Sequence, residues 1–122
     1  MKLYIAGPMT GHPKFNFPAF HDAARRLRQQ GYDVVNPAEL ETMDTARPWE
    51  FYARRSIGLL VKECDAVLLL SGWCDSRGAL LEAVVARALG APFYRLVDSS
   101  LERYSTDYID QVIASKLDLL LS

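Results

Sequence analysis

Apolar positions along the chain switch repeatedly between continuous runs and helical spacing, and each switch marks an element. Residues 2–6, "KLYIA", predict a buried strand, followed by a loop rich in Gly, Pro and Asn, "GPMTGHPKFNF". Phe20, Ala23, Ala24 and Leu27 then recur at i, i+3, i+4 and i+7 between Pro18 and Gly31, so residues 17–30 read as an amphipathic helix. "YDVVNP" is a second strand stopped by Pro37, and residues 38–47 read as an irregular loop. Pro48 suits a helix start, and "WEFYARRSIGLLVKE" keeps helical spacing up to Glu63. "DAVLLL" at 65–70 is almost continuously apolar, as a strand covered on both faces must be. A third helix spans 77–89 and closes at Gly90, "PFYRL" is a fourth strand, and residues 105–120 form a last helix with Ile109, Val112, Ile113, Lys116 and Leu117 in register.

Strands alternating with helices call for right-handed parallel crossovers. The expected fold is therefore a three-layer α/β sandwich with a flavodoxin- or Rossmann-like parallel sheet of four to five strands, order 2-1-3-4. That order reverses between strands one and three, and ligands of such sheets bind beyond the carboxyl ends of the strands at the reversal. The loops lining that crevice are "GPMTG" and "SGWCDSRG". Strand three ends in Leu70–Ser71 without an acceptor aspartate, which excludes a phosphoacceptor receiver domain. Asp65 falls at the other end of the sheet and reads as structural.

Glu82 is the one carboxylate on helix three. Its helical neighbours Gly78, Ala79 and Ala86 are small, leaving a bare patch that admits a backbone or a flat ligand, while Leu81, Val84, Val85 and Ala88 form the expected buried sides. Arg87 is at i+5, the wrong offset for a helical ion pair. Spacing alone leaves two roles open, a functional carboxylate and an ordinary, partly exposed helical glutamate. Asp75 or Ser76 can cap the helix, and the N–H groups at its start make an anion site by geometry. "GPMTG" is neither GxGxxG nor GxxxxGK(S/T), so it is a weak phosphate motif by itself. Asn36 ends strand two at the crevice, though "NP" is equally a turn. Trp49, Phe51 and Tyr52 read as core, and Trp73, in the crevice loop, has the better claim to stack on a ligand.

Composition narrows the picture. At 122 residues the chain is one domain, half hydrophobic and a quarter charged, and its net charge of −1 with scattered basic residues offers no stripe for a polynucleotide. No apolar stretch is long enough to span a bilayer and the N-terminal run is too short for a signal-peptide core, so no membrane and a cytoplasmic location are expected. Cys64 and Cys74 lie in no CxxC spacing, and with only His12 and His21 beside them neither a metal site nor another cofactor is expected.

Taken together, "YIAGPMTG", "NP", "CDAVLLLSGW" and "SRGALLEAVVARALGAP" resemble the nucleoside 2-deoxyribosyltransferase-like superfamily. The nearest pattern is that of its small branch with Y-I-A-G-P-M-T/S-G followed by G-W-x-x-S-x-G-A-x-x-E, and the resemblance covers roughly residues 2–94. It implies cleavage of a nucleoside or nucleotide N-glycosidic bond, with Glu82 as nucleophile on the anomeric carbon and Tyr4 holding its carboxylate. Transferases of free nucleosides carry an aspartate at the position of Ser76, whereas branches hydrolysing 5′-monophosphates carry a serine that contacts phosphate. The resemblance thus implies a phosphate pocket of Gly7, Pro8, Thr10, Gly11, Ser76 and Gly78, flanked by Asn36, Trp73 and Asp75. It also implies a nucleotide or nucleoside as small-molecule partner and a homodimer or higher homo-oligomer. One departure stands out. Related enzymes place an aspartate in helix two that assists the leaving base, and here that position is Ser56. Loss of such an acid costs on the order of 10²–10⁴-fold in rate, unless Asp75 substitutes, so a nucleotide-binding or sensing domain without turnover is the alternative.

Overall fold

The computed structural model describes residues 1–40 and 47–122; most of the predicted loop at 38–47 lies outside the described residues. Strands β1 (Lys2–Ala6), β2 (Asp33–Val35), β3 (Ala66–Leu69), β4 (Phe93–Val97) and β5 (Ser100–Arg103) form one sheet in the order β2-β1-β3-β4-β5. The first four run parallel and β5 is antiparallel to β4. Helices α1 (Phe17–Gln29), α2 (Trp49–Glu63), α3 (Arg77–Ala88) and α4 (Thr106–Ser115), with the short α5 (Leu117–Leu120), cover the faces. This is the expected three-layer sandwich, with β1 and β3 side by side at the reversal.

Strand alternation divides the core in two. Leu3 and Ile5 of β1 and Ala66 and Leu68 of β3 pack under Phe20, Ala23, Ala24 and Leu27 of α1. Tyr4, Ala6, Val67 and Leu69 point the other way, against Leu60 of α2, Leu80, Ala83 and Ala86 of α3 and Ile109 of α4. Tyr4 therefore emerges on the face that α3 covers. The buried side of α3 is Ala79, Leu80, Ala83 and Ala86, together with Glu82; Leu81, Val84 and Val85 are only half-buried and Ala88 is exposed, one helical step away from the expected faces. Both α1 and α3 end in the paired bonds of a Schellman motif: Tyr32 N–H to Leu27 and Gly31 N–H to Arg28, then Ala91 N–H to Ala86 and Gly90 N–H to Arg87.

Three local features differ from expectation. Asp98 and Ser99, at φ 50° and 69°, make a two-residue hairpin that returns the chain as β5. The last helix breaks at Lys116 (φ −116°, ψ 15°) into α4 and α5. The loop after β1 contains a short 3-10 turn at Pro13–Asn16, in which Lys14, Phe15 and Asn16 are all left-handed.

At the reversal the β1 and β3 ends approach closely. A Cβ built on Gly7 would lie 2.8 Å from Cβ of Leu70, an atom fixed by its own backbone. Gly7→Ala is therefore expected to lower stability by about 1–3 kcal/mol, read as a shift of the urea midpoint. An unchanged midpoint would mean that the two loops separate without cost.

Candidate active site

A cavity of about 290 Å³ opens beyond the carboxyl ends of β1 and β3, between α2, α3 and the loop after β1. That is close to the lower end of small-ligand sites, ~300–1,000 Å³. One wall is apolar, built by Met9, Phe15, Phe17 and Phe20 from the β1–α1 region, and by Trp49, Tyr52 and Ile57 from α2. The opposite wall is the first two turns of α3, Ser76 to Glu82.

Glu82 is 8 % exposed and lies on this wall, which excludes the ordinary exposed glutamate. Its Oε2 accepts a hydrogen bond from the hydroxyl of Tyr4, itself fully buried. The pair joins β1 to α3 across the sheet-facing side of the cavity. Burial pushes the Glu82 carboxyl up to about 8, opposed by the Tyr4 hydrogen bond, which favours the ionised form. Burial first, and then the charge of Glu82, hold the Tyr4 hydroxyl well above its usual value, against a hydrogen bond from Ser56 that lowers it. Ser56 thus stands beside the tyrosine–glutamate pair, facing the same cavity. Tyr4→Phe removes the hydrogen bond that favours the ionised Glu82 carboxylate, so the carboxyl is expected to titrate above 8. Carbon-detected NMR of the Glu82 side chain would read this; a midpoint at or below the wild-type value would overturn it.

The remaining candidates divide. Gly7, Thr10, Ser76 and Gly78 line the cavity. Ser76 is the N-cap of α3: its Oγ accepts from the N–H of Ala79 at 3.2 Å, which leaves its own O–H to donate. Gly78 neighbours Trp49, whose Nε1 would be 3.9 Å from a Cβ there, an ordinary contact distance. Pro8, Gly11, Asn36, Trp73 and Asp75 are not brought into the lining. Pro8 packs against Gly72. Trp73 is buried in the core on the α3 side, because the turn that carries it folds under the helix instead of over the crevice. Asp75 points to solvent and pairs with Lys116 at 2.8 Å, so it is not placed to replace the acid that Ser56 lacks. Asn36 is buried with its capacity used: Oδ1 accepts from Ala38 N–H at 3.0 Å, which orients the amide so that Nδ2 donates to Nδ1 of His21 at 3.1 Å. Asp65 is structural as expected, accepting from the N–H of Lys2.

Sequence spacing missed the aromatic wall. Trp49 and Tyr52, read as core, face the cavity, and Phe15, Phe17 and Phe20 join them from another part of the chain. It also missed Arg47, at the cavity mouth. Among the described residues, no group of three or more His, Cys, Asp or Glu side chains could hold a metal ion, and no helix is long and apolar enough to cross a membrane. Both cysteines are free.

Fold and cavity together define an α/β domain with a buried tyrosine–glutamate pair at the sheet's switch point. The chain belongs to the family described as a domain of unknown function, DUF4406, whose model matches residues 1–94. That span contains every residue lining the cavity, whereas β5, α4 and α5 lie outside it. No curated protein and no solved structure matches the chain.

Proposed function

We propose that this domain cleaves the N-glycosidic bond of a nucleoside 5′-monophosphate, with Glu82 as nucleophile. The observation that carries the reading is a carboxyl buried at the floor of a largely apolar, small-ligand cavity and oriented by a tyrosine. In the reaction Glu82 Oε attacks the anomeric carbon as the bond to the base breaks, and that electron pair leaves on the base nitrogen, which takes a proton from water. The resulting glycosyl ester passes to water in a hydrolase or to a second base in a transferase. A carboxylate that burial disfavours gains most when the sugar becomes oxocarbenium-like, since positive charge then develops beside it. The aromatic wall suits the flat base, and the hydroxyls of Thr10 and Ser76 with the N–H groups at the start of α3 suit a phosphate. The motif resemblance to the nucleoside 2-deoxyribosyltransferase-like superfamily points to the same chemistry.

The test is chromatography of free base after incubation with ribo- and deoxyribonucleoside 5′-monophosphates and the matching nucleosides. Release from a monophosphate is expected; release from none of them overturns the reading. The pH profile adds a second check. Glu82 acts ionised and titrates near 8 in the empty site, so kcat/KM should rise with pH up to about 8, by on the order of 10–100-fold from pH 6. A profile flat between pH 6 and 8 would dissociate Glu82 from the reaction.

Ser56 supports a second reading. A serine beside the tyrosine–glutamate pair is a poor general acid at neutral pH, and a domain that binds nucleotides without turnover needs none. Ligands that raise the melting temperature while no base is released would select it.

A further inference from the structure

Two charged side chains line the cavity among the described residues, and they sit at opposite ends of it: Glu82 on the buried floor and Arg47 at the exposed mouth. The guanidinium of Arg47 lies over the ring of Phe51, itself outside the lining, 4.7 Å from its centroid; such stacking engages the face of the planar fork and not its N–H donors. The other cations nearby are held by protein groups: Arg55, 5.5 Å from the centroid of the same Phe51 ring, donates to the carbonyl of Leu40 at 3.1 Å. Arg77 stacks on Trp49 at 4.0 Å and its Nε donates to the carbonyl of Leu120 at 3.4 Å. Lys116 is paired with Asp75. The other donors, Thr10 from the loop after β1 and Ser76 with the N–H groups at the start of α3, are all neutral, so they can orient a phosphate but not balance its charge.

The geometry points to Arg47 as a specificity-determining residue, the cation that makes this cavity prefer a phosphorylated nucleoside to the nucleoside itself. The inference deepens the proposed function and rests on its choice of a nucleotide ligand, but not on turnover. It assigns the two ends of the cavity opposite tasks, sugar chemistry at the carboxyl and charge recognition at the mouth. Trp49, two residues after Arg47, reaches the start of α3 at Gly78, so the mouth is formed where the N-termini of two long helices converge and both favour an anion.

The test is equilibrium binding by calorimetry of four 2′-deoxynucleoside 5′-monophosphates and their parent nucleosides to the wild type, Arg47→Gln and Arg47→Lys, with base release recorded on the same samples. Wild type is expected to bind a monophosphate at least about tenfold more tightly than its nucleoside. Arg47→Gln should shrink that preference by about tenfold, the lower end for charge-assisted hydrogen bonds, and Arg47→Lys should recover part of it. Equal preference in wild type and Arg47→Gln, equal weakening of both ligand classes, or no wild-type preference each overturns the inference. Binding that follows Arg47 without base release sustains it and overturns the glycosidase reading alone.

Discussion

Glu82→Gln is expected to abolish base release, by on the order of 10⁴-fold or more, while the monophosphate still binds. Loss of a covalent nucleophile removes the step on which everything downstream depends, and changes of that size follow such substitutions in other covalent enzymes. The glutamine keeps the shape and still offers an oxygen to the hydroxyl of Tyr4, so the link between β1 and α3 survives. Binding retained with turnover lost would therefore identify chemistry rather than architecture. The measurement is a single-turnover assay with radiolabelled monophosphate alongside a calorimetric titration; residual activity above about a tenth of wild type would remove Glu82 from the nucleophile's role.

The same substitution should remove most of the protein's loss of stability toward alkaline pH. A carboxyl that titrates near 8 when folded and near 4.5 when exposed keeps its proton in the native state while the unfolded chain loses it. The native state then binds more protons between those values, and stability falls as pH rises from about 4.5 to 8. At about 1.4 kcal/mol per pH unit, the full loss is on the order of 5 kcal/mol. Glu39 has the opposite sign, its carboxyl being lowered by the Arg28 hydrogen bond, so its contribution is lost only as pH falls below the usual carboxylate range. Tyr4 is raised above its ordinary value of 10.0 and acts above this window. Urea unfolding at pH 5 and pH 8.5 should show wild type weakening across the interval and Glu82→Gln nearly level, with the variant more stable than wild type at pH 8.5. Parallel curves for the two proteins would mean that Glu82 titrates normally.

Much of this was legible in the chain because its elements follow their periods. Continuous apolar runs at β1 and β3, helical spacing at α1 and α2, and the glycines closing α1 and α3 carry the sheet order, and with it the place of the crevice. The motif resemblance also brought Tyr4 and Glu82 together, 78 positions apart, and the structure joins them. What escaped depends on contacts that spacing does not encode. The hairpin into β5 turns on Asp98–Ser99, a pair less diagnostic than Asn-Gly or Asp-Gly. Trp73 sits in a crevice loop by sequence, yet its ring is buried under α3, while Trp49 and Tyr52 looked like core because their helix was expected to bury one whole face. In fact α2 has a single fully buried residue, Leu60, and turns the aromatic start of that face toward the cavity. Asp75 was a fair capping choice beside Ser76, and the cap is decided by one bond, from Ala79 N–H to Ser76 Oγ.

The two borders of the sheet carry one further consequence. On one side β2 is three residues long and is followed at once by Asn36 and Pro37, the latter without an N–H to offer. On the other, β5 is four residues long, bears Glu102 and Arg103, and is pinned to β4 by the Arg95–Glu102 pair at 2.9 Å. Neither margin presents a long, flat, uncharged row of backbone groups, so both resist templating a strand from another chain. A protein of this build offers little open edge for strand addition from another chain.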